Sequence, residues 1–212
     1  MDALRRQALL HLVGCGAVRI DAPAFGVPLP FSIRLDLMEC VPVVRQSVLR
    51  ALEEELKLGP LPDAIASSPN GCRGLAALLA DRFNLPSIFP TVASTSDFAA
   101  IVPYGPVAQG MEVCVVHEYL RNRNPVERMG NALRAVGCRV VSVMAVLDAD
   151  RDQETLDWCR ASKIRYLPLL RFEEVFHELR TNPQFAQLVA ADILAAAEKH
   201  YLAARNPTCP PP

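Results

Sequence analysis

Short apolar runs alternate with amphipathic segments of helical length along most of this chain, and this alternation constrains the fold more than any other feature. The runs predicted to be strands are residues 63–66, 87–89, 112–116, 139–147 and 165–169. The segments predicted to be helices between them are residues 72–83, 125–136 and 152–161. Such an alternation is typical of a parallel sheet covered by helices on both faces. The pattern therefore predicts an α/β fold with a mostly parallel sheet flanked by helices.

The two ends of the chain carry further predicted elements. A helix at 3–13 precedes strands at 17–20 and 31–37, which a proline-broken turn joins into a small N-terminal lid. Further helices are predicted at 41–56, 172–179 and 183–201. An apolar stripe in the last helix, typical of core or dimer packing, comprises Phe185, Leu188, Val189, Ile193 and Leu194.

A length of 212 residues suits one domain, predicted at 1–205. Within it we expect the N-terminal helix and lid at 1–40, an α/β core at 41–180 and a C-terminal helix at 181–205. Residues 206–212 (NPTCPPP) are predicted to be a disordered tail.

Charge and cysteine usage exclude several classes of protein. The formal net charge of -1 gives no basic footprint for nucleic acid, and no run approaches the length of a membrane span. The N-terminal segment is interpreted as a helix rather than a signal peptide. Seven cysteines, an odd number without C-x-x-C spacing, indicate reduced thiols in a cytoplasmic protein and no metal site.

Glycine and lysine are scarce. The chain has 10 Gly against 18 Pro, and its lysines are Lys57, Lys163 and Lys199. Enzymes that wrap phosphates in backbone amides need glycine, because a Cβ obstructs the close approach. The composition therefore disfavours a glycine-cradle phosphate enzyme and any mechanism that depends on lysine.

Ligands of such sheets bind at the carboxyl ends of strands, so the loops after Ala66, Phe89 and Val116 matter most. The stretch MEVCVVHEYLRNRNPVERMGNALRAVGCRVVSVMAVLDAD resembles the phosphoribosyl-diphosphate-binding segment of the type I phosphoribosyltransferases, most closely the orotate phosphoribosyltransferases. DAIASSPNGCRGLAALLADRFNLPSIFP and RYLPLLRFEEVF are similar to the family's pyrophosphate loop and last strand, so the resemblance covers residues 3–180. It implies a Rossmann-like fold and a homodimer.

The ribose and phosphate positions depart from the family pattern. The acidic pair that holds the ribose hydroxyls corresponds to His117-Glu118, and the threonine-glycine run corresponds to Arg121-Asn122-Arg123-Asn124. Arg121 and Arg123 are charged, forked donors that could bind an anion through their side chains. The alternative is a solvated or partner-facing basic loop.

The pyrophosphate loop also departs from the pattern. It corresponds to residues 67–73, where Pro69 and Gly71 match and Ser67 and Cys72 stand at common glycine positions. Donors remain at Ser68, Asn70 and Arg73. The alternative is an ordinary strand-to-helix turn capped by Ser68 or Asn70.

The family's catalytic loop, rich in lysine and histidine, corresponds to residues 91–109, which contain no Lys, Arg or His. The lysine that contacts orotate is also absent; Arg34 is the base nearby and is expected to contact Asp36. Lost cations remove stabilisation of the leaving group.

Two hypotheses follow. In the first, the chain has lost phosphoribosyl transfer and acts as a binding, regulatory or assembly factor for a protein partner. In the second, it is an active phosphoribosyltransferase for orotate or a related nucleobase, with an arginine-based phosphate site. Glu118 and His117 are then the catalytic candidates, and Glu118 is a ligand for Mg²⁺, the one cofactor considered. The candidates for binding phosphate or nucleotide are Glu118, Arg121, Asn122, Arg123, Ser68, Asn70, Gly71 and Arg73.

Overall fold

The computed structural model describes residues 1–20, 31–69, 71–95, 98–150, 153–185 and 187–203, and they divide into two compact units. One unit comprises residues 48–170, and the other comprises residues 1–47 and 171–212. The predicted lid turn at 24–30 and the predicted tail at 206–212 lie outside the described residues. Within the described part, no helix is both long and apolar enough to cross a membrane.

Residues 48–170 form a six-stranded, mostly parallel sheet. Its strands are β3 (Ala64–Ser67), β4 (Ser87–Thr95), β5 (Phe98–Tyr104), β6 (Glu112–Leu120), β7 (Arg139–Asp148) and β8 (Arg165–Arg171), numbered after two short strands of the other unit. They lie in the order β5-β4-β3-β6-β7-β8. β3 pairs in parallel with β4 and β6, β6 pairs in parallel with β7, and β5 runs antiparallel to β4. The predicted α/β fold is confirmed.

The helices of this unit are the C-terminal part of α3 (Pro42–Lys57), α4 (Arg73–Arg82), α5 (Asn124–Ala135) and α6 (Glu154–Ala161). α4 contacts β3 and β4, and α5 contacts β6 and β7. Apolar residues of β3 are completely buried, as a strand covered on both faces requires.

The other unit is helical with a small β-ladder. It contains α1 (Ala3–Gly14), β1 (Val18–Ile20), β2 (Phe31–Ile33), α2 (Leu35–Cys40), α7 (Phe172–Thr181) and α8 (Ala191–Ala203). Arg6 of α1 donates two hydrogen bonds of 3.0 Å to Glu178 of α7. Phe172 and Phe176 of α7 pack with Tyr201 of α8. Ion pairs therefore join α7 to α1, and apolar packing joins it to α8, where Arg180 also pairs with Glu198 at 3.1 Å.

Two predicted elements near the ends are wrong in part. The strand predicted at 31–37 stops at Ile33, because β1 offers only three residues to pair with, and α2 begins at Leu35. The helix predicted at 183–201 is divided into a 3₁₀ turn, Pro183–Phe185, and α8. Buried Phe185 anchors the turn, whereas Leu188 is 41% exposed, so the predicted apolar stripe is not one helical face. The side chain of Asp36 is outside the described part, and its contact with Arg34 stays a prediction.

Two strands are longer than their sequence patterns predict. β6 continues through residues predicted to be a loop, because Tyr119 and Leu120 pair with Leu147 and Asp148 of β7. β4 extends to Thr95 and forms a hairpin with β5 inside the segment, 91–109, that corresponds to the family's catalytic loop. The strand extension places His117 and Glu118 on β6 rather than in a loop.

Candidate functional site

A cleft of about 240 Å³ opens at the carboxyl ends of β3 and β6. These ends are adjacent because the two strands pair in parallel, with Ser67 opposite Val116. The cleft is lined by Ser68, Pro69, His117, Glu118, Tyr119, Arg121, Asn122 and Pro125. This edge is where ligands bind in open α/β sheets. The lining contains four of the residues predicted to bind phosphate or nucleotide, together with the catalytic candidate His117.

His117 contributes a neutral imidazole to the cleft. It pairs with Ala145 of β7 along the backbone, and its side chain is only 2% exposed. Burial lowers the pKa of His117 to about 4, because the charged form loses its hydration. Its Nε2 atom is buried and has no hydrogen-bond partner among the described residues. A group with so low a pKa is a weak general base at neutral pH.

Glu118 turns its carboxylate onto the loop at 67–73. Its Oε2 atom accepts a hydrogen bond of 2.7 Å from the Ser68 hydroxyl, which also lies 3.0 Å from the carbonyl oxygen of Gly71. A Cβ built at Gly71 would lie 2.7 Å from Oε1 of Glu118, so the carboxylate rests directly against this glycine. A residue predicted to hold ribose therefore occupies the surface of the predicted pyrophosphate loop.

The same loop retains a backbone conformation suited to glycine. Cys72 precedes the first residue of α4 with a φ of 58° and a ψ of 16°, in the left-handed region. Its side chain is 1% exposed, and its carbonyl oxygen accepts a hydrogen bond of 2.8 Å from the amide of Ala76. Only glycine adopts this conformation without cost, so the turn tolerates strain at this position. Asn70 lies outside the described residues.

The three arginine candidates separate in space. Arg121 lines the cleft, is exposed, and has no hydrogen-bond or ion-pair partner among the described residues. Arg73 does not line it and donates a hydrogen bond of 3.1 Å to the carbonyl oxygen of Pro90. Arg123 also lies outside the lining, with Nε 3.5 Å from Oε2 of Glu127 on α5. One arginine therefore remains for a ligand in this cleft.

Asn122 stabilises its own turn. Its Oδ1 atom accepts a hydrogen bond of 3.1 Å from the amide of Asn124, the first residue of α5. Its amide nitrogen stays able to donate toward the cleft, which the residue lines. Tyr119 also lines the cleft but was not predicted, because the predicted strand ends at Val116. No alternation follows His117, so only the pairing of Tyr119 with Leu147 of β7 reveals its position.

The side chains present do not form a magnesium site. Glu118 is the one carboxylate among the described lining residues, and Ser68 already donates to it. No cluster of three metal-ligating side chains occurs in the described part of the chain. Mg²⁺ requires an octahedral set of oxygen ligands, to which this cleft offers one carboxylate, so we assign it no metal-dependent step.

No protein-family model matches the chain. An orotate phosphoribosyltransferase of Bacillus cytotoxicus is 25% identical over 149 residues, which are 68% of this chain and 71% of that protein. This similarity agrees with the resemblance to orotate phosphoribosyltransferases predicted from the sequence.

Solved structures share the fold. Leishmania donovani UMP synthase superposes with a TM-score of 0.76 and 17% identity over 95% of this chain, which spans 43% of that longer protein. Aeropyrum pernix orotate phosphoribosyltransferase superposes with a TM-score of 0.66 and 19% identity, covering 80% of this chain and 96% of that protein. Leishmania donovani adenine phosphoribosyltransferase superposes with a TM-score of 0.60 and 14% identity, covering 91% of this chain and 84% of that protein. The resemblance to type I phosphoribosyltransferases is confirmed, and the fold is theirs.

Proposed function

We propose that this chain, a relative of the orotate phosphoribosyltransferases, is a binding protein that does not transfer phosphoribosyl groups and serves as a regulatory or assembly factor. The observation that carries the proposal is the position of Glu118. Its carboxylate rests against Gly71 and accepts the hydrogen bond of Ser68, within the loop whose counterpart in the family binds pyrophosphate.

A carboxylate in this position opposes a pyrophosphate electrostatically. Two like unit charges about 4 Å apart repel by about 4 kcal/mol at an effective dielectric constant of about 20. The Ser68 hydroxyl has one proton, and Glu118 and Gly71 already present two acceptors for it. The loop therefore offers a pyrophosphate both a repulsive charge and an occupied donor.

The cations that would offset this repulsion are few. Residues 91–109, which correspond to the family's catalytic loop, contain no Lys, Arg or His. Arg73 donates to the backbone of β4 and Arg123 pairs with Glu127, so among the described residues Arg121 is the one arginine lining the cleft. Preorganised positive charge is the main means of stabilising such a leaving group. A single exposed guanidinium supports binding of an anion better than catalysis of its departure.

Calorimetric titration with phosphoribosyl diphosphate and Mg²⁺, followed by an assay with orotate, tests the proposal. We expect neither saturable binding at micromolar concentration nor turnover. The Glu118→Gln variant removes the repulsive charge and should bind phosphoribosyl diphosphate about tenfold or more tightly than the wild type. Asp81→Asn, which removes an exposed carboxylate in the last turn of α4, is the matched control and should leave affinity unchanged. Micromolar binding with turnover by the wild type contradicts the proposal.

A second candidate, an active orotate or related nucleobase phosphoribosyltransferase, is favoured by Arg121, because this cation lines the cleft without a described partner. It requires Arg121 and Arg123 to replace the glycine-amide cradle. An Arg121→Ala, Arg123→Ala double variant should then lose nucleotide affinity while its circular dichroism spectrum stays that of the wild type. Unchanged nucleotide binding refutes this arrangement.

The proposal also includes the homodimer implied by the resemblance and a protein partner for an assembly role. Sedimentation equilibrium of the purified chain tests the homodimer, and a species of twice the chain mass is expected. A monomer at all concentrations up to about 100 μM contradicts it, since a functional homodimer associates well below that concentration.

A further inference from the structure

Opposite charges line the cleft without neutralising each other. Glu118 accepts one described hydrogen bond, from Ser68, and makes no ion pair with the described residues. Arg121 lines the same space and likewise has no described acidic partner. A carboxylate has about four lone-pair positions and a guanidinium five N–H donors, so most of the hydrogen-bonding capacity of both groups remains unused.

His117 shares the lining of the cleft but is closed to a ligand. Its side chain is 2% exposed and its Nε2 atom is buried. His117 also precedes Glu118 on β6, and successive side chains of a strand point to opposite faces. Glu118 and Arg121 are therefore the charged groups that a ligand in this cleft meets.

We propose that the cleft is a binding site for a small zwitterion of the amino-acid class. Its ammonium group donates to the Glu118 carboxylate, and its carboxylate accepts from Arg121 and from the side-chain amide of Asn122. The inference rests on the proposed function, because it takes the cleft as a ligand site rather than a transferase site. It adds the chemical class of the ligand, which neither the relatives nor the fold specifies.

Charge and size both favour this class. One carboxylate and one guanidinium make the described lining net neutral, so a net-neutral ligand with separated charges matches it better than a phosphate ester does. An arginine and a carboxylate form a charge-assisted pair, often with two parallel hydrogen bonds. A cleft of about 240 Å³ has the liquid volume of about eight water molecules, which suits a ligand of amino-acid size.

The first experiment titrates the full chain with each standard amino acid at concentrations up to about 10 mM, followed by calorimetry and by the imidazole resonances in NMR. We expect saturable binding of one or a few of them, with a shift of the His117 signal. For the tightest ligand, the methyl ester retains only the cation and the N-acetyl derivative only the anion. Each should bind about tenfold or more weakly, because each loses one charge-assisted contact. Equal binding of either derivative, or saturation by no amino acid, overturns the inference.

Variants then assign the binding to this cleft. Glu118→Gln and Arg121→Gln should each weaken binding of the same amino acid about tenfold or more. Arg134→Gln is the matched control, because this exposed arginine lies on the last turn of α5 and bonds to Asn131. Loss of binding in the control as well, or unchanged binding in both cleft variants, overturns the assignment.

The two proposals fail in different ways. Turnover of phosphoribosyl diphosphate and orotate by a chain that also binds amino acids refutes the proposed function alone. Absence of turnover together with absence of amino-acid binding refutes the zwitterion site alone.

Discussion

The loops after β3 and β6 meet at one cleft but use their residues in opposite ways. In the β3 loop, residues 67–73, Ser67, Ser68 and Cys72 are buried, and Ser68 bonds to Gly71 and Glu118. In the β6 loop, residues 121–124, all four side chains are exposed. Both loops are predicted from the resemblance to correspond to phosphate-binding loops of the family. The β3 loop therefore uses its Ser68 hydroxyl for internal contacts, whereas the β6 loop exposes its charged side chains to solvent and ligand.

Acidification at His117, where β6 enters the cleft, should give the largest effect. The pKa of His117 is lowered to about 4 from its ordinary 6.5, so the unfolded chain binds its proton more readily. Above pH 6.5 the imidazole is neutral in both states and the stability of the folded chain is fully present. As pH falls from 6.5 toward 4, protonation favours the unfolded chain and lowers the free energy of unfolding by about 3 kcal/mol. Urea unfolding between pH 7 and 4 should show this loss in the wild type and less of it in His117→Gln.

The exposed His177→Gln variant is the control for that measurement and should follow the wild-type pH dependence. A His117→Gln variant that loses stability with acid as steeply as the wild type would mean that the imidazole lies in solvent. The exposed region would then include His117 as well as the β6 loop.

Removing the Ser68 hydroxyl should give the next largest effect. Ser68→Ala takes away the described donor to Glu118, a half-buried carboxylate, and should lower the free energy of unfolding by about 1–3 kcal/mol. Adding Glu118→Gln should reduce that cost, because the two side chains interact. Ser162→Ala, at an exposed helix end, should change stability by about 0.5 kcal/mol or less. Equal costs for the two serines would mean that the β3 loop is not held by this bond.

A smaller effect is expected at Cys72, where the β3 loop adopts a left-handed conformation. Alanine normally stabilises a chain relative to glycine, but at a φ of 58° the order should reverse. Cys72→Gly should therefore be more stable than Cys72→Ala by about 1 kcal/mol in urea unfolding. Ala76→Gly, inside α4, should instead lose about 1 kcal/mol. A Cys72→Ala variant more stable than Cys72→Gly contradicts strain in this loop.

The β6 loop should give the smallest effect. Arg123→Ala removes an exposed ion pair with Glu127 and should cost about 0.5 kcal/mol or less. Arg121→Ala, which has no described partner to lose, should leave the thermal midpoint unchanged. Differential scanning calorimetry checks both variants. A cost above about 1 kcal/mol for Arg121→Ala would break the comparison, because surface substitutions of this kind change stability by about 0.5 kcal/mol or less.

Much of the sheet could be predicted because its signal is local. Buried strands such as β3 are short apolar runs, and α5 follows β6 with a proline near its start. The end of β6 could not be predicted in this way. His117 and Glu118 are polar residues that read as a loop, and only pairing with β7 shows that the strand continues to Leu120. The break before α8 depends similarly on Phe185, whose burial fixes a short turn where the periodicity predicts one helix.

Sequence pattern was enough to predict the alternation of strands and helices between residues 63 and 169, the relationship to type I phosphoribosyltransferases and the absence of lysine, arginine and histidine from residues 91–109. These properties depend on residue identity and on short-range periodicity, which a linear pattern contains. β5 and α2, and the contact of the Glu118 carboxylate with Gly71 and with Ser68, 50 positions away, are known only from the folded chain. The folded chain also separates Arg121, which lines the cleft, from Arg73 and Arg123, which do not. The sequence could not show this difference, because all three residues are arginines. Contacts between distant positions arise from the parallel pairing of β3 with β6, and that pairing exists only in the folded chain.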